Sequence, residues 1–448
     1  MPIITEDLSM FLFLLSILAG CLMGVVSGLI PGLHSNNFAL LLVSASPLLI
    51  ENGIPAIYII CMILANCITH TFHDIIPAIY LGVPNSDMAL AVLPGHQLLL
   101  DGRGPEAIRL SALGSAGSVI VSIILLLPFG FLLYTIYPLI QDYIGWMLLF
   151  IAFLMIVTEK GEYVPGQGSL TRYRYKFYAL LVFVMSGLLG IFAFGKESMA
   201  NSLFESDSPS ILLPLLSGLF GASQLIISLT TSSVIPAQRT SLISLPANRI
   251  IKAITSGSIA GSFVAWLPGV SSSVATLLAE QFSRIRGKQN SDKTSISEDP
   301  LDEAREFIIS VSGVNTANAV FGLFVFFFIG RARNGAIVAI SSLLEPSAID
   351  IPFILILLCV VILASIFSYY STIKIGNIIH LLMEKINYRK LSIAVLTGLV
   401  VMVTIFTGMF GIVIFLMATS IGLLPSFMNV RKSNAMGVIL LPVILYFL

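Results

Sequence analysis

Three polar clusters interrupt an otherwise apolar chain, and their residue types suit ion or ligand chemistry. His70, His73 and Asp74 fall in one such run, with the histidines i, i+3 on one helical face. Imidazole titrates near neutral pH, and ionisable groups inside a membrane mark ion pathways, so the triplet is a candidate for proton coupling or substrate contact. The alternative is that the histidines are hydrogen-bonded within a helix bundle or sit at an interface. The sequence HTFHD lacks the glutamate between histidines that a zinc peptidase needs, so no metal ligands are assigned, although a polar His cluster is compatible with a transition metal. The second cluster is Asn85, Ser86 and Asp87, where Asp87 either binds a cation beside unwound backbone carbonyls or caps a helix. The third is Asn315, Thr316 and Asn318, three polar side chains within one turn, which must bridge helices or face a cavity.

Two further stretches break apolar runs with Pro and Gly. In GVVSGLIPGLHSNN the break is Pro31, Gly32 and Leu33, followed by His34, Ser35 and Asn36; in GSFVAWLPGVSSS it is Pro268, Gly269 and Val270, followed by Ser271 and Ser272. Backbone freed at such a break has no water to bond in lipid, so protein or an aqueous cavity must satisfy it. A half-helix starting after the break aims unpaired N–H groups into that cavity, which suits an anion. An isolated break is ordinarily a packing kink. Two in matching places point to a binding site.

The matching is ordered along the chain. Gly24 aligns with Gly261, Pro31 with Pro268, Ser35 with Ser272, His70 with Asn318, and Gly82 with Gly330; SGLFG at 217 resembles TGMFG at 407. Such a series is the mark of internal duplication, and Gly/Pro-interrupted segments at equivalent positions point to a transporter site near the membrane middle. We expect a first transmembrane repeat over 1–235, a second over 236–448, and a charged cytoplasmic loop over 283–306.

Composition fixes the setting of these clusters. Of 448 residues, 57% are hydrophobic and 10% charged, against about 25% charged in soluble domains. Lys plus Arg and Asp plus Glu are each 23, leaving no basic excess for nucleic acid. The expected fold is an all-α integral membrane protein with roughly ten to twelve transmembrane helices, two inverted-topology repeats, and broken or re-entrant hairpins. The start MPIITEDLSM has no Lys or Arg, so the first apolar run is expected to stay as a span. Cys21, Cys61, Cys67 and Cys359 lie in apolar runs and are expected to be core residues. Basic residues gather around 160–176, 239–252, 284–305 and 374–390, which places those loops in the cytoplasm. With basic loops on both sides, the segment 256–280 must cross an even number of times, as a hairpin turning at Pro268 and Gly269. Arg331 and Arg333, after a phenylalanine-rich run, either grip a carboxylate or snorkel to the interface. Asp101 to Ala107, DGRGPEA, reads as a turn that starts a helix with Pro105 in its first turn.

At GLIPGL (28–33), GVPNSDMALAVLPGHQLLLDGRGPEAIRLSALGS (82–115), WLPGVSSSVA (266–275) and SGVNTANAVFG (312–322), the chain resembles the large permease subunit of tripartite tricarboxylate transporters, the TctA family. Its ending, IGLLPSFMNVRKSNAMGVILLPVIL, is most similar to archaeal members. The resemblance covers nearly the whole chain. It implies an ion-coupled importer of carboxylates, without catalysis or an organic cofactor, whose inverted halves hold substrate between Pro-Gly hairpins. It also implies an external solute-binding protein and a small membrane subunit as partners. The chain departs from the family pattern at Pro84-Asn85, at Arg331-Ala332-Arg333 and in GVNTANA, which lacks the family's acidic residue.

The sequence thus predicts a multi-pass secondary transporter of the cell membrane, surrounded by lipid and compatible with a homo-oligomer. It carries a small organic anion, most simply a carboxylate, with Na⁺ or H⁺ as coupling ion. No Walker-type ATP loop is present. Other readings are a lipid or polyprenyl-phosphate flippase, in which the hairpins hold a phosphate head group, and an intramembrane metal-dependent enzyme.

Overall fold

The computed structural model describes residues 9–30, 35–80, 88, 92–159, 169–202, 211–230, 236–239, 243–268, 270, 272, 275–276, 301–332, 334–344, 350–383 and 388–448. Among them there are helices and turns but no strands. Among the described residues, seven helices are long and apolar enough to cross a membrane, and three shorter apolar helices accompany them. The chain is an all-α, multi-pass membrane protein. Its outer surface carries large apolar side chains such as Phe11, Leu127, Phe131, Phe150 and Phe177, as contact with hydrocarbon requires. Of the cysteines, Cys21, Cys61 and Cys67 are buried as expected, whereas Cys359 is exposed on that apolar surface.

The first helices are α1 (Met10–Leu29), α2 (Ser35–Glu51), α3 (Ala56–His73), α4 (Ile75–Tyr80) and α5 (Val92–Leu100). There follow α6 (Gly104–Ile140), α7 (Ile144–Val157), α8 (Ser169–Gly195), α9 (Leu212–Leu216), a π-helical turn (Ser217–Ala222) and α10 (Ser223–Thr230). The remainder are α11 (Ala247–Val264), α12 (Asp302–Ile329), α13 (Gly335–Ser342), α14 (Ile351–Met383), α15 (Tyr388–Met428) and α16 (Gly437–Phe447). α3 is buried along nearly its whole length. It packs against α1, α2, α6, α12 and α14, so it is the central post of the bundle.

Two helix pairs position the polar clusters, and glycines set both. α1 lies along α3 with Gly20 over the Met62 carbonyl, Gly24 over Asn66 and Thr69, and Gly28 over His70 and His73; a Cβ at Gly24 would come within 2.5 Å of the Thr69 Cβ. α11 lies along α12 with Gly257 over the Ser310 carbonyl and Gly261 over Val314 and Ala317, where a Cβ would come within 2.5 Å of the Val314 carbonyl oxygen. Small residues let helix backbones approach closely where lipid gives no hydrophobic drive to association. Gly24 and Gly261, aligned in the sequence, therefore occupy the same kind of position in their pairs.

The feet of α6, α11 and α12 are tied by charge. Arg305 Nε donates to Glu106 Oε1 at 2.8 Å, with both side chains fully buried, and Arg305 also reaches Asp302 at 2.7 Å. Arg249 of α11 pairs with Asp302 at 3.0 Å and contacts Glu306. Residues 302–306 of the expected cytoplasmic loop thus form the first turn of α12, while 283–300 lie outside the described residues. The segment 236–239 docks on the loop before α6: Gln238 Nε2 donates to the Leu99 carbonyl at 3.0 Å, and the Gly104 N–H donates to Gln238 Oε1 at 2.8 Å. That loop has the expected form, a glycine turn at Gly102 (φ 78°) leading into α6 with Pro105 in its first turn.

Irregular backbone recurs where SGLFG and TGMFG lie. The first forms the π-helical turn, in which the Ser223 N–H bonds the Gly218 carbonyl. Lys432 Nζ donates to the Phe220 carbonyl of this turn at 3.2 Å and to Gln224 Oε1 at 3.1 Å. The second breaks α15 at Gly408 (φ 65°, ψ −157°), a left-handed conformation that a side chain would strain.

A candidate binding site between two broken helices

The first break falls between α1, which ends at Leu29, and α2, which starts at Ser35; Pro31, Gly32, Leu33 and His34 lie outside the described residues. Ser35 is buried, and its carbonyl accepts from Asn66 Nδ2 of α3 at 3.3 Å. Asn66 Oδ1 in turn accepts from Ser27 Oγ at 3.3 Å, and that hydroxyl lies 2.9 Å from His70 Nδ1. Asn36 Oδ1 accepts from the Ala336 N–H at 3.0 Å. It therefore satisfies one of the orphan donors at the N-terminus of α13, beside the Asn334 side chain, which accepts from the Ile337 N–H at 2.9 Å.

The second break follows α11, which ends at Val264 and runs into a turn through Pro268. Gly269 and Ser271 lie outside the described residues, and Val270 and Ser272 are buried. Ser272 Oγ donates to Asn315 Oδ1 at 3.3 Å and accepts from Asn318 Nδ2 at 3.1 Å. Asn315 Nδ2 donates to Asp74 Oδ2 at 2.9 Å, joining α12 to the end of α3. One turn away, Thr71 and Thr316 hydroxyls lie 3.1 Å apart across the same contact.

Asp74 sits where it does because Pro77 follows. Proline has no N–H for the His73 carbonyl, and its ring crowds that carbonyl, so α3 turns at Asp74 before continuing as α4. Asp74 is only 2% exposed. A carboxylate so deep requires partners, and Asn315 is one of them.

The shared helical face expected for His70 and His73 divides between two neighbours. His70 points to Ser27 of α1. His73 points to α14, with Nε2 3.0 Å from Ser371 Oγ and Nδ1 2.8 Å from the Thr69 carbonyl. A carbonyl can only accept, so Nδ1 carries the proton. Thr69 also accepts from Ser368 Oγ at 2.9 Å, which extends this second polar seam. Asn85, Ser86 and Asp87 lie outside the described residues, as does Arg333; Arg331 is exposed. Among the described residues, no group of three or more His, Cys, Asp or Glu gathers around a metal-sized space.

Sequence reasoning missed Ser27, Asn66, Ser368 and Ser371, and it read Glu106 only as part of a turn. Ser27 and Asn66 are single polar residues in apolar runs, and only the pairing of α1 with α3 brings them together. Glu106 and Arg305 lie 199 residues apart, and Arg305 has acids of its own beside it in the sequence, so neither charge marks the other.

A multi-pass helical bundle whose polar groups meet at two broken helices, rather than in a soluble domain, has the design of membrane transport proteins. The family model of the tripartite tricarboxylate transporter TctA family matches residues 14–437, and the chain belongs to that family. It is a family of transporters rather than enzymes. Membership of a tripartite system implies further subunits and a binding protein. An uncharacterized protein of Methanocaldococcus jannaschii, MJ1079, is 29% identical over 443 residues, covering 97% of this chain and 99% of that protein. No solved structure matches the chain.

Proposed function

We propose that this protein is an ion-coupled permease of the cell membrane that carries a small carboxylate between its two helix breaks. Substrate lies against Ser35 and Asn36 on one side and Ser272, Asn315 and Asn318 on the other. The observation that carries the reading is that each break is bonded to the other half of the chain. Asn36 holds the start of α13, and Ser272 reaches Asp74 through Asn315. Movement of one break is therefore felt by helices of the opposite half, as alternating access around a central site requires. The matching glycine contacts of α1 on α3 and α11 on α12 support two repeats of one design.

Neutral amides and hydroxyls fit the carboxylate class, because they donate hydrogen bonds without fixing the anion so tightly that it cannot leave. The test is uptake into proteoliposomes of labelled acetate, succinate and citrate under imposed Na⁺ or H⁺ gradients, with and without the binding protein of the same system. Uptake of at least one is expected. Scrambling of labelled phospholipid with no uptake of any carboxylate would overturn the reading.

A further inference from the structure

We propose that Asp74 carries the coupling proton and that Asn315 transmits its charge state to Ser272 in the second break. The inference rests on the permease reading above and adds to it the ion, its carrier and the route by which the ion acts on the substrate site.

The hydrogen bonds between the second break and Asp74 run in one direction. Asn318 Nδ2 donates to Ser272 Oγ, Ser272 Oγ donates to Asn315 Oδ1, and Asn315 Nδ2 donates to Asp74 Oδ2, at 3.1, 3.3 and 2.9 Å. All three donors point toward the carboxylate, and bonds in such a chain polarise one another. An ionised Asp74 holds the Asn315 amide with its N–H inward and its oxygen toward Ser272. That orientation fixes the Ser272 hydroxyl proton on Asn315 and leaves the serine as an acceptor toward Asn318.

Protonation of Asp74 adds one proton to a carboxylate oxygen and breaks no other bond. The neutral carboxyl is a weaker acceptor and has a proton of its own to donate, so the Asn315 amide is free to turn and release Ser272. The hydroxyl then has its proton available for an anionic substrate. When the carboxyl returns its proton to the opposite side, the chain re-forms and the serine withdraws that donor. Substrate binding and proton binding thereby favour each other, which is the linkage a symporter needs.

The direction of the chain also selects the ion. A metal cation at Asp74 would want oxygen ligands around it, whereas Asn315 offers the carboxylate its N–H and gives its oxygen to Ser272. The titratable and charged groups on the packed elements leave Asp74 as the member of this chain. His70 and His73, on its own helix, face Ser27 and Ser371. On α1 the group is Cys21, against Thr69; α4 has Tyr80, and α2 has Glu51 at its exposed far end. On α6, Glu106 pairs with Arg305 of α12 and Arg109 bonds Asn377 of α14. Lys374 of α14 is exposed, α13 has no titratable side chain, and α12 presents Asn315 and Thr316.

The test uses the full-length protein in two formats. Infrared difference spectra between acidic and neutral pH, in detergent and without substrate, report a buried carboxyl directly; the band is expected in the natural protein and absent from Asp74→Asn. In proteoliposomes, an inward proton gradient is expected to drive accumulation of whichever of acetate, succinate or citrate is carried. Asp74→Asn lowers that gradient-driven accumulation by ~5- to 150-fold more than it lowers exchange, the span of an ordinary coupling free energy. Asn315→Leu keeps the carboxyl band but flattens the pH dependence of substrate affinity, and Asn315→Gln restores part of it. A carboxyl band that survives Asp74→Asn, or accumulation driven by Na⁺ alone and unchanged in Asp74→Asn, would overturn the proposal. Absence of any carboxylate transport with the band intact would count against the permease reading and leave Asp74 as a proton site.

Discussion

The α1–α3 and α11–α12 pairs share a backbone contact and differ in what surrounds it. In both, glycines at four-residue intervals seat one helix on the backbone of the next. In both, a serine after the break is held by an asparagine of the partner helix: Ser35 by Asn66, and Ser272 by Asn315. The first asparagine holds a backbone carbonyl, and its own oxygen accepts from Ser27 beside His70. The second holds a side chain and ends on the carboxylate of Asp74. A main-chain bond fixes position, whereas a hydroxyl between two amides, one of them bonded to an acid, can change its donor direction. Backbone geometry can thus be repeated while the two sites take different tasks, one as a scaffold and the other as a switch.

The largest expected effect tests the anchoring peculiar to the second pair. Glu106→Gln removes the fully buried acid from Arg305, leaving Asp302 as a remaining partner, and should cost about 3 kcal/mol, read as loss of thermal stability in detergent. Next come Gly24→Leu and Gly261→Leu, each expected to destabilise by about 1–3 kcal/mol through overpacking. Similar losses at the two sites sharpen the comparison; a tolerated leucine at either would break it. Asn66→Leu and Asn315→Leu each leave buried polar partners unsatisfied at about 1–3 kcal/mol, yet only the second should alter the pH dependence of substrate affinity. The smallest effect is Ser27→Ala, about 0.5–1.5 kcal/mol in stability, with coupling retained.

The helical membrane fold was legible because length and apolarity suffice to define a span, as α1, α3, α12 and α14 show. The pairing of Gly24 with Gly261 could be aligned by eye, and both glycines meet a partner helix as close-packed residues do. The wiring was less legible. His70 and His73 lie near each other on a helix, but which one meets α1 and which meets α14 depends on neighbours that helical period does not name. Asn315 carried a visible signal as an amide in an apolar run. Its bond to Asp74, 241 residues away, is a product of tertiary packing. Glu106 looked like a turn residue because its partner is far along the chain, and isolated charges reveal little until both are placed.

The π-helical turn at 217–222 carries one residue more than an α-helix would need to cover the same ground. Closing the segment into ordinary α-helix with that extra residue retained would rotate everything beyond it by about 100° about the axis. Gln224 would swing away from Lys432, and the ammonium would lose the surplus carbonyl of Phe220 that now receives it. The irregular turn therefore acts as a spacer one residue long, and the lysine is the gauge that fits only when the spacer is present.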